Sequence, residues 1–248
     1  MFQDIIAGSR YVMRGIRLIL SPGLKQFFAI PLLINIVIFS VLIWLGIGQF
    51  GKLMEWLLPG GSEWWARLSL VVLWLLFAIA ALVILFFGFT VVANLLGAPF
   101  NGLLAEKVEA HLRGKTQQEP GSLRTAFPNI SQSLMNEVRK IAYYLLFGGL
   151  VLLLSFIPGI NVVSPVLWVV FGAWMLSLEY MGYPMENHNM NFKRVRERLA
   201  EKRMISLGFG LGVLLATMIP LVNFIIMPAA VAGATALWVD HWSVGQGS

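Results

Sequence analysis

Charged residues avoid four long stretches of this chain. No Asp, Glu, Lys or Arg occurs in residues 26–51, 68–105, 141–178 or 204–239, windows of 26, 38, 38 and 36 residues. About 20 apolar residues in a helix cross a bilayer. In hydrocarbon the backbone must satisfy its own hydrogen bonds, which a helix does within one segment. The pattern predicts an all-α integral membrane protein.

The four windows are built differently. Residues 22–50 read as one transmembrane helix. Residues 68–113 read as a second; the 38-residue window alone would be about 57 Å long as a helix. That outruns the bilayer, so a cytoplasmic extension and a kink near Gly97-Ala98-Pro99 are expected. The other two windows are interrupted centrally, by Ile157-Pro158-Gly159-Ile160-Asn161 and by Ile219-Pro220-Leu221-Val222-Asn223. The shared Ile-Pro-x-[Ile/Val]-Asn pattern has the form of an internal repeat. Arms of about 16 residues beside such breaks reach about 25 Å, short of a hydrocarbon core of about 30 Å. Residues 141–178 and 204–240 are therefore expected to form two hemi-penetrating hairpins with Asn161 and Asn223 at equivalent turns. Six full crossings are the alternative.

Residues 1–21 place Arg10, Arg14 and Arg17 on one helical face and Ile5, Val12, Ile16 and Ile19 on the other. That is the pattern of an amphipathic helix lying in the membrane interface. Ser21-Pro22 follows. Serine is a good N-cap and proline is tolerated at the first helical position, so the first transmembrane helix is expected to begin at Pro22. The amides of Gly23, Leu24 and Lys25 would then be free at a positive dipole end, where oxyanions bind. An ordinary capped helix start is the plainer reading of the same residues.

Lys and Arg number four in residues 1–25, six in 106–140 and six in 179–203, against two in the Trp-rich interval 51–67. Basic residues favour the cytoplasmic side, so both termini and both large polar segments are expected there. Glu106, Glu109 and Arg113 read as a solvated face with an internal ion pair. Lys193, Arg194, Arg196, Arg198, Lys202 and Arg203, interleaved with Val195 and Leu199, read as an amphipathic juxtamembrane helix that would also concentrate anions.

Composition then narrows the chemistry. Of 248 residues, 58% are hydrophobic and 12% charged, with a net charge of +6. A soluble domain carries about 25% charged residues, so the basic excess is read as topology and lipid contact, not nucleic-acid binding. The run starting at Gln26 is too long for the apolar part of a cleavable signal peptide, and none is expected. The chain has no cysteine, which removes disulfides, thiolate metal sites and a thiol nucleophile. His111, His188 and His241 lack metal-ligand spacing, and no Walker-type loop is present. Neither an enzyme, a cofactor, a metal nor ATP hydrolysis is expected. The windows also hold no ionisable Asp, Glu, Lys, Arg or His from which to build a proton relay.

The apolar runs do contain Asn35, Asn94, Asn161 and Asn223, with Asn101 at the end of the second. Amides can hydrogen-bond a partly dehydrated ion without trapping it; interhelical adhesion is the plainer reading. With the indole N–H of Trp238, these are the pore candidates.

The chain resembles the CysZ family of bacterial sulfate permeases from about Gly15 to Asp240. The resemblance rests on Ser21-Pro22-Gly23, on Ala98-Pro99-Phe100-Asn101-Gly102-Leu103-Leu104-Ala105-Glu106, and on Phe156-Ile157-Pro158-Gly159-Ile160. It continues through Tyr183-Pro184, Asn187-His188, Met218-Ile219-Pro220-Leu221, Met227-Pro228, Gly233-Ala234-Thr235-Ala236 and Trp238-Val239-Asp240. It implies ATP-independent sulfate uptake across the inner membrane for cysteine biosynthesis, by a homo-oligomer with two long transmembrane helices and two hemi-penetrating hairpins. Sulfite and related oxyanions are the other substrates to consider. The resemblance places the sulfate-binding motif at Gly23, Leu24, Lys25 and Gln26. Where the family usually has two adjacent arginines, this chain has Lys25 and Gln26: one point charge and one neutral donor in place of planar forks. From physics alone, a membrane scaffold or regulator without transport activity competes with this reading. Direct anion binding separates the two.

Overall fold

The computed structural model describes residues 1–57, 64–114 and 130–243, and every regular element among them is helical. The elements are α1 (Phe2–Ile19), α2 (Gln26–Leu57), α3 (Trp64–Leu112), α4 (Ile130–Ser155), α5 (Ser164–Asn187), α6 (Phe192–Glu201), α7 (Arg203–Thr217) and α8 (Pro220–His241). A 3-10 turn, Ile160–Val162, links α4 to α5. Residues 29–100 form one compact unit; residues 1–28 and those from 101 onward form another.

The unit of residues 29–100 holds most of α2 and α3. Phe50 stacks on Phe77 with ring centroids 4.1 Å apart, and Trp74 meets both edge-on. Large side chains such as Leu33, Trp44, Val71 and Leu82 point outward. Ile36–Trp56 is long and apolar enough to cross a membrane. A helix apolar on all sides with its side chains exposed is suited to lipid.

In the other unit, α1 packs on α7 and α8, and α5 packs on α4, α6, α7 and α8. Small residues set the closest approaches. A Cβ on Gly8 would strike the Ile205 carbonyl and lie 2.7 Å from the Phe209 nitrogen. One on Gly15 would strike the Ala229 carbonyl and lie 2.7 Å from the Gly233 nitrogen. Gly210 presses on the Ala173 carbonyl in the same way. Lipid tails are as apolar as leucine, so membrane helices associate by close packing, which small residues permit. Around these contacts Ile19, Met181, Met185, Phe209, Leu237 and Trp238 are fully buried, while the outer face of α4, with Leu145, Leu146 and Leu153, is exposed.

Several features depart from expectation. The arginine face of α1 points outward, but the opposite face, with Val12 and Ile19, packs against protein instead of lipid, because Gly8 and Gly15 let α7 and α8 approach. α2 begins at Gln26, not Pro22. It also continues to Leu57, so part of the polar interval 51–67 is helical; residues 58–63 of that interval lie outside those described.

The arms of the first hairpin are longer than the uncharged window implies. α4 and α5 run to 26 and 24 residues, because they continue through Glu137, Arg139 and Lys140 and through Glu179 and Glu186. Met135–Ser155 and Ser164–Asn187 are each long and apolar enough to cross a membrane, whereas α7 has 15 residues.

The two breaks also differ. Pro158 sits in a turn where Gly159 adopts φ +89°, and Asn161 lies in the 3-10 turn before α5. In the second break Leu221 stands where the first has Gly159. There Pro220 opens α8, and Asn223 lies inside that helix, so the two asparagines are not equivalent.

Ordinary overpacking costs about 1–3 kcal/mol, and here the obstacles are backbone atoms that cannot rotate away. Gly8→Leu, Gly15→Leu and Gly210→Leu are each expected to abolish the monodisperse peak in detergent chromatography. Gly149→Ala, whose Cβ would meet nothing within 4 Å, is expected to keep that peak and melt like the parent protein.

Candidate functional site

The segment from Ser21 to Lys25 is a pair of turns and not a helix start. The Leu24 amide donates to the Ser21 carbonyl at 3.2 Å, and the Ser21 amide to the Leu18 carbonyl at 3.0 Å. The Ser21 hydroxyl donates back to the Arg17 carbonyl, so it finishes α1 instead of capping α2. Gly23 has φ +86°, a left-handed conformation that cannot continue a right-handed helix and suits glycine. Leu24 is buried in the core, while Lys25 and Gln26 are exposed. The amides left without intrahelical acceptors therefore belong to the turn that starts at Gln26. Of the four motif residues, Leu24 anchors, Gly23 turns the chain, and Lys25 and Gln26 face outward.

A second set of groups gathers where α3, α5 and α8 meet. Asn189, at φ +58°, turns the chain after α5 and presents His188 to α3. His188 Nε2 lies 2.9 and 3.0 Å from the two carboxylate oxygens of Glu109, and Arg113 donates to the same carboxylate at 2.6 Å. Expected on a solvated face, Glu109 is in fact buried. Asn187 Nδ2 donates to the Gly102 carbonyl at 2.9 Å. The Trp238 ring lies 5.4 Å from that of His188. Trp238 is 1% exposed, and its Nε1 has no hydrogen-bond partner among the described residues, whereas Asn101, 5% exposed, hydrogen-bonds the Tyr183 side chain.

The large majority of buried side-chain polar atoms are paired, and leaving one unpaired costs about 1–3 kcal/mol. The Trp238 indole N–H is thus a buried neutral donor, its ring against the His188 that contacts Glu109, a carboxylate whose charge Arg113 offsets. Such an arrangement can receive an acceptor from outside the protein, an anion included.

Among the remaining pore candidates, the structure describes the side chain of Asn161 alone. Asn161 is exposed at its turn. The side chains of Asn35, Asn94 and Asn223 lie outside those described. A further charged group escaped the reading of the windows because its members stand at their edges. Lys140 Nζ bridges Glu137 and Glu179, each at 2.8 Å, and ties α4 to α5. Among the described residues no three His, Cys, Asp or Glu side chains converge to hold a metal ion.

The end of α8 is fastened to α1 by a polar cluster. Arg14 pairs with Asp240, the Tyr11 hydroxyl donates to Asp240 at 2.8 Å, and that oxygen lies 3.2 Å from His241 Nε2. Since the hydroxyl gives its only proton to Asp240, the ring N–H must be the donor in the last contact. Burial, with the Asp240 carboxylate, pushes the Tyr11 phenol up to about 12, so it stays neutral. Lys202 donates to the His241 carbonyl at 3.0 Å. Burial first, then the Lys202 charge, hold His241 below the ordinary histidine value.

A family model described as sulfate transporter CysZ/etoposide-induced protein 2.4 matches residues 11–228. The chain is 43% identical over 234 residues to a protein of Pseudomonas paraeruginosa named sulfate transporter CysZ, covering 94% of this chain and 95% of that one. A protein of the same name from Pseudomonas fluorescens is 42% identical over 235 residues, covering 95% and 94%. Another from Salmonella typhimurium is 39% identical over 237 residues, covering 95% and 93%.

His241 yields a pH expectation whose sign is fixed. A histidine depressed in the folded state disfavours the charged ring there, so stability is full above the unfolded value of 6.5 and falls as pH drops through it. Melting temperature in detergent is expected to decline from about pH 7.5 to about pH 5.5. His241→Gln should remove part of that decline; an identical profile in the variant would place the titration elsewhere.

Proposed function

The chain belongs to the family of the sulfate transporter CysZ and the etoposide-induced protein 2.4, and from that premise we propose that it carries sulfate across a bacterial inner membrane without hydrolysing ATP. It is an integral membrane protein. The observation that carries the reading is the buried, unpartnered indole N–H of Trp238, whose ring lies against His188 beside the Glu109–Arg113 ion pair. Sulfate is divalent and strongly hydrated. A route across must replace its water with N–H donors, yet full charges along the way would hold it too tightly to leave.

The proposed assembly is a homo-oligomeric channel or facilitator. In it α2 and α3 cross the bilayer, α4–α5 and α7–α8 are hairpins, and both termini are cytoplasmic. The anion is captured at Gly23, Leu24, Lys25 and Gln26, with Lys25 and the amides of the first α2 turn as donors. It then passes Asn101 and Trp238, with Asn35, Asn94, Asn161 and Asn223 as further donors along the route. Sulfite and related oxyanions fit the same chemistry. The cargo would supply sulfur for cysteine biosynthesis.

Labelled-sulfate flux into proteoliposomes tests the reading. Hydrogen bonds to charged groups are worth about 1.5–3 kcal/mol, so Trp238→Phe and Asn101→Leu are each expected to slow flux about tenfold or more. Because Trp238→Phe removes an unpaired buried donor, its melting should be unchanged or raised, whereas Asn101→Leu also removes the hydrogen bond to Tyr183 and should lower it. Gly23→Val combined with Lys25→Ala is expected to raise the sulfate concentration needed for half-maximal flux. Flux through the parent protein equal to that of empty vesicles would overturn the reading.

A further inference from the structure

We propose that the outer surface of α1 is a binding site for an anionic glycerophospholipid. The inference rests on the membrane character of the chain and not on sulfate transport, so either can fail alone. At 100° per residue, α1 divides into three faces. Gly8, Val12, Gly15 and Ile19 face α7 and α8 and are buried. Arg10, Arg14 and Arg17 form a second stripe along an open groove of about 580 Å³, lined with Ala7, Tyr11 and Met13. Between the two runs a third stripe, Phe2, Ile6, Met13 and Leu20, whose side chains are all large, apolar and 49–77% exposed.

The charges in the groove are not equivalent. Arg14 is already held by Asp240 and lies over the Tyr11 ring at 5.6 Å. Neither Arg10 nor Arg17 has an ion-pair partner among the described residues. Two uncommitted guanidiniums about two turns apart, with a fixed third between them, match a phosphate that accepts several N–H bonds. Placed beside them, the apolar stripe decides what the phosphate belongs to. A small free oxyanion would leave Phe2, Ile6, Met13 and Leu20 in water, whereas a diacyl lipid covers them with its chains while its headgroup meets the arginines. A second copy of the chain docked face to face would set arginine against arginine.

The test uses the full-length protein in neutral detergent and measures binding by native mass spectrometry. Dioleoylphosphatidylglycerol, dioleoylphosphatidylcholine and sodium sulfate are titrated separately and in competition. The phosphatidylglycerol is expected to bind in preference to the phosphatidylcholine. A surface basic group contributes about fivefold to such binding. Arg17→Gln alone should therefore weaken phosphatidylglycerol binding about fivefold, and Arg10→Gln with Arg17→Gln about 25-fold, leaving phosphatidylcholine unaffected. The charge-matched pair Lys193→Gln and Arg194→Gln on α6 should leave the preference intact. Equal binding of the two lipids, retention of the preference in the α1 double variant, or equal loss in the α6 pair would overturn the proposal. So would sulfate displacing the lipid from the site, or a change in oligomer mass in place of lipid loss, which would assign the groove to the free ion or to a second copy.

Discussion

The backbone-to-backbone approach of α1 to α7 and α8 is the constraint on which the rest of the larger unit depends. A soluble helix bundle is driven together by excluding water from its apolar faces, but in lipid that drive is absent between helices. Gly8, Gly15, Gly208 and Gly233 supply what is left, which is contact close enough that a single Cβ would collide with a carbonyl or amide across the interface. Once α1 is seated, its carboxyl end and the Ser21 hydroxyl fix the turn at Gly23, and its Tyr11 and Arg14 fix the end of α8. The proposed capture segment and the neighbourhood of Trp238 thereby share one scaffold.

The membrane class and the all-helical character were legible in the sequence because absence of charge over 26 or more residues has few structural solutions. Helix ends were less so. The Ser-Pro pair at 21–22 satisfies every rule for a helix start, yet the conformation of Gly23 overrides it, and no local pattern announces a left-handed glycine. Arm lengths in the first hairpin were underestimated for a related reason: charge marks where hydrocarbon ends, not where helix ends. Gly8 and Gly15 carried the signal for a packed α1 at the spacing of two turns, but the arginine stripe on the other face was the louder pattern.

Of the candidate site, the neutral donors were legible as residue types, while their setting was not. Glu109 looks solvated from its neighbours Glu106 and Arg113; only the left-handed turn at Asn189, 80 residues later in the chain, brings His188 onto it. A long-range ion pair of this kind leaves no periodic trace. Nor does sequence distinguish a paired indole from an orphaned one. A buried indole N–H without a protein acceptor costs stability, so the setting of Trp238 fits a part of the molecule shaped by something other than stability.

The unlike links within the two hairpins carry a mechanical consequence. Between α4 and α5 the chain has eight residues, 156–163, including a 3-10 turn; between α7 and α8 it has only Met218 and Ile219. A long link absorbs relative sliding of its arms, while a two-residue link transmits it. With α1 wedged against both α7 and α8, the short link and the α1 interface resist the same displacement, whereas the longer link that contains Gly159 leaves α4 free of that double restraint.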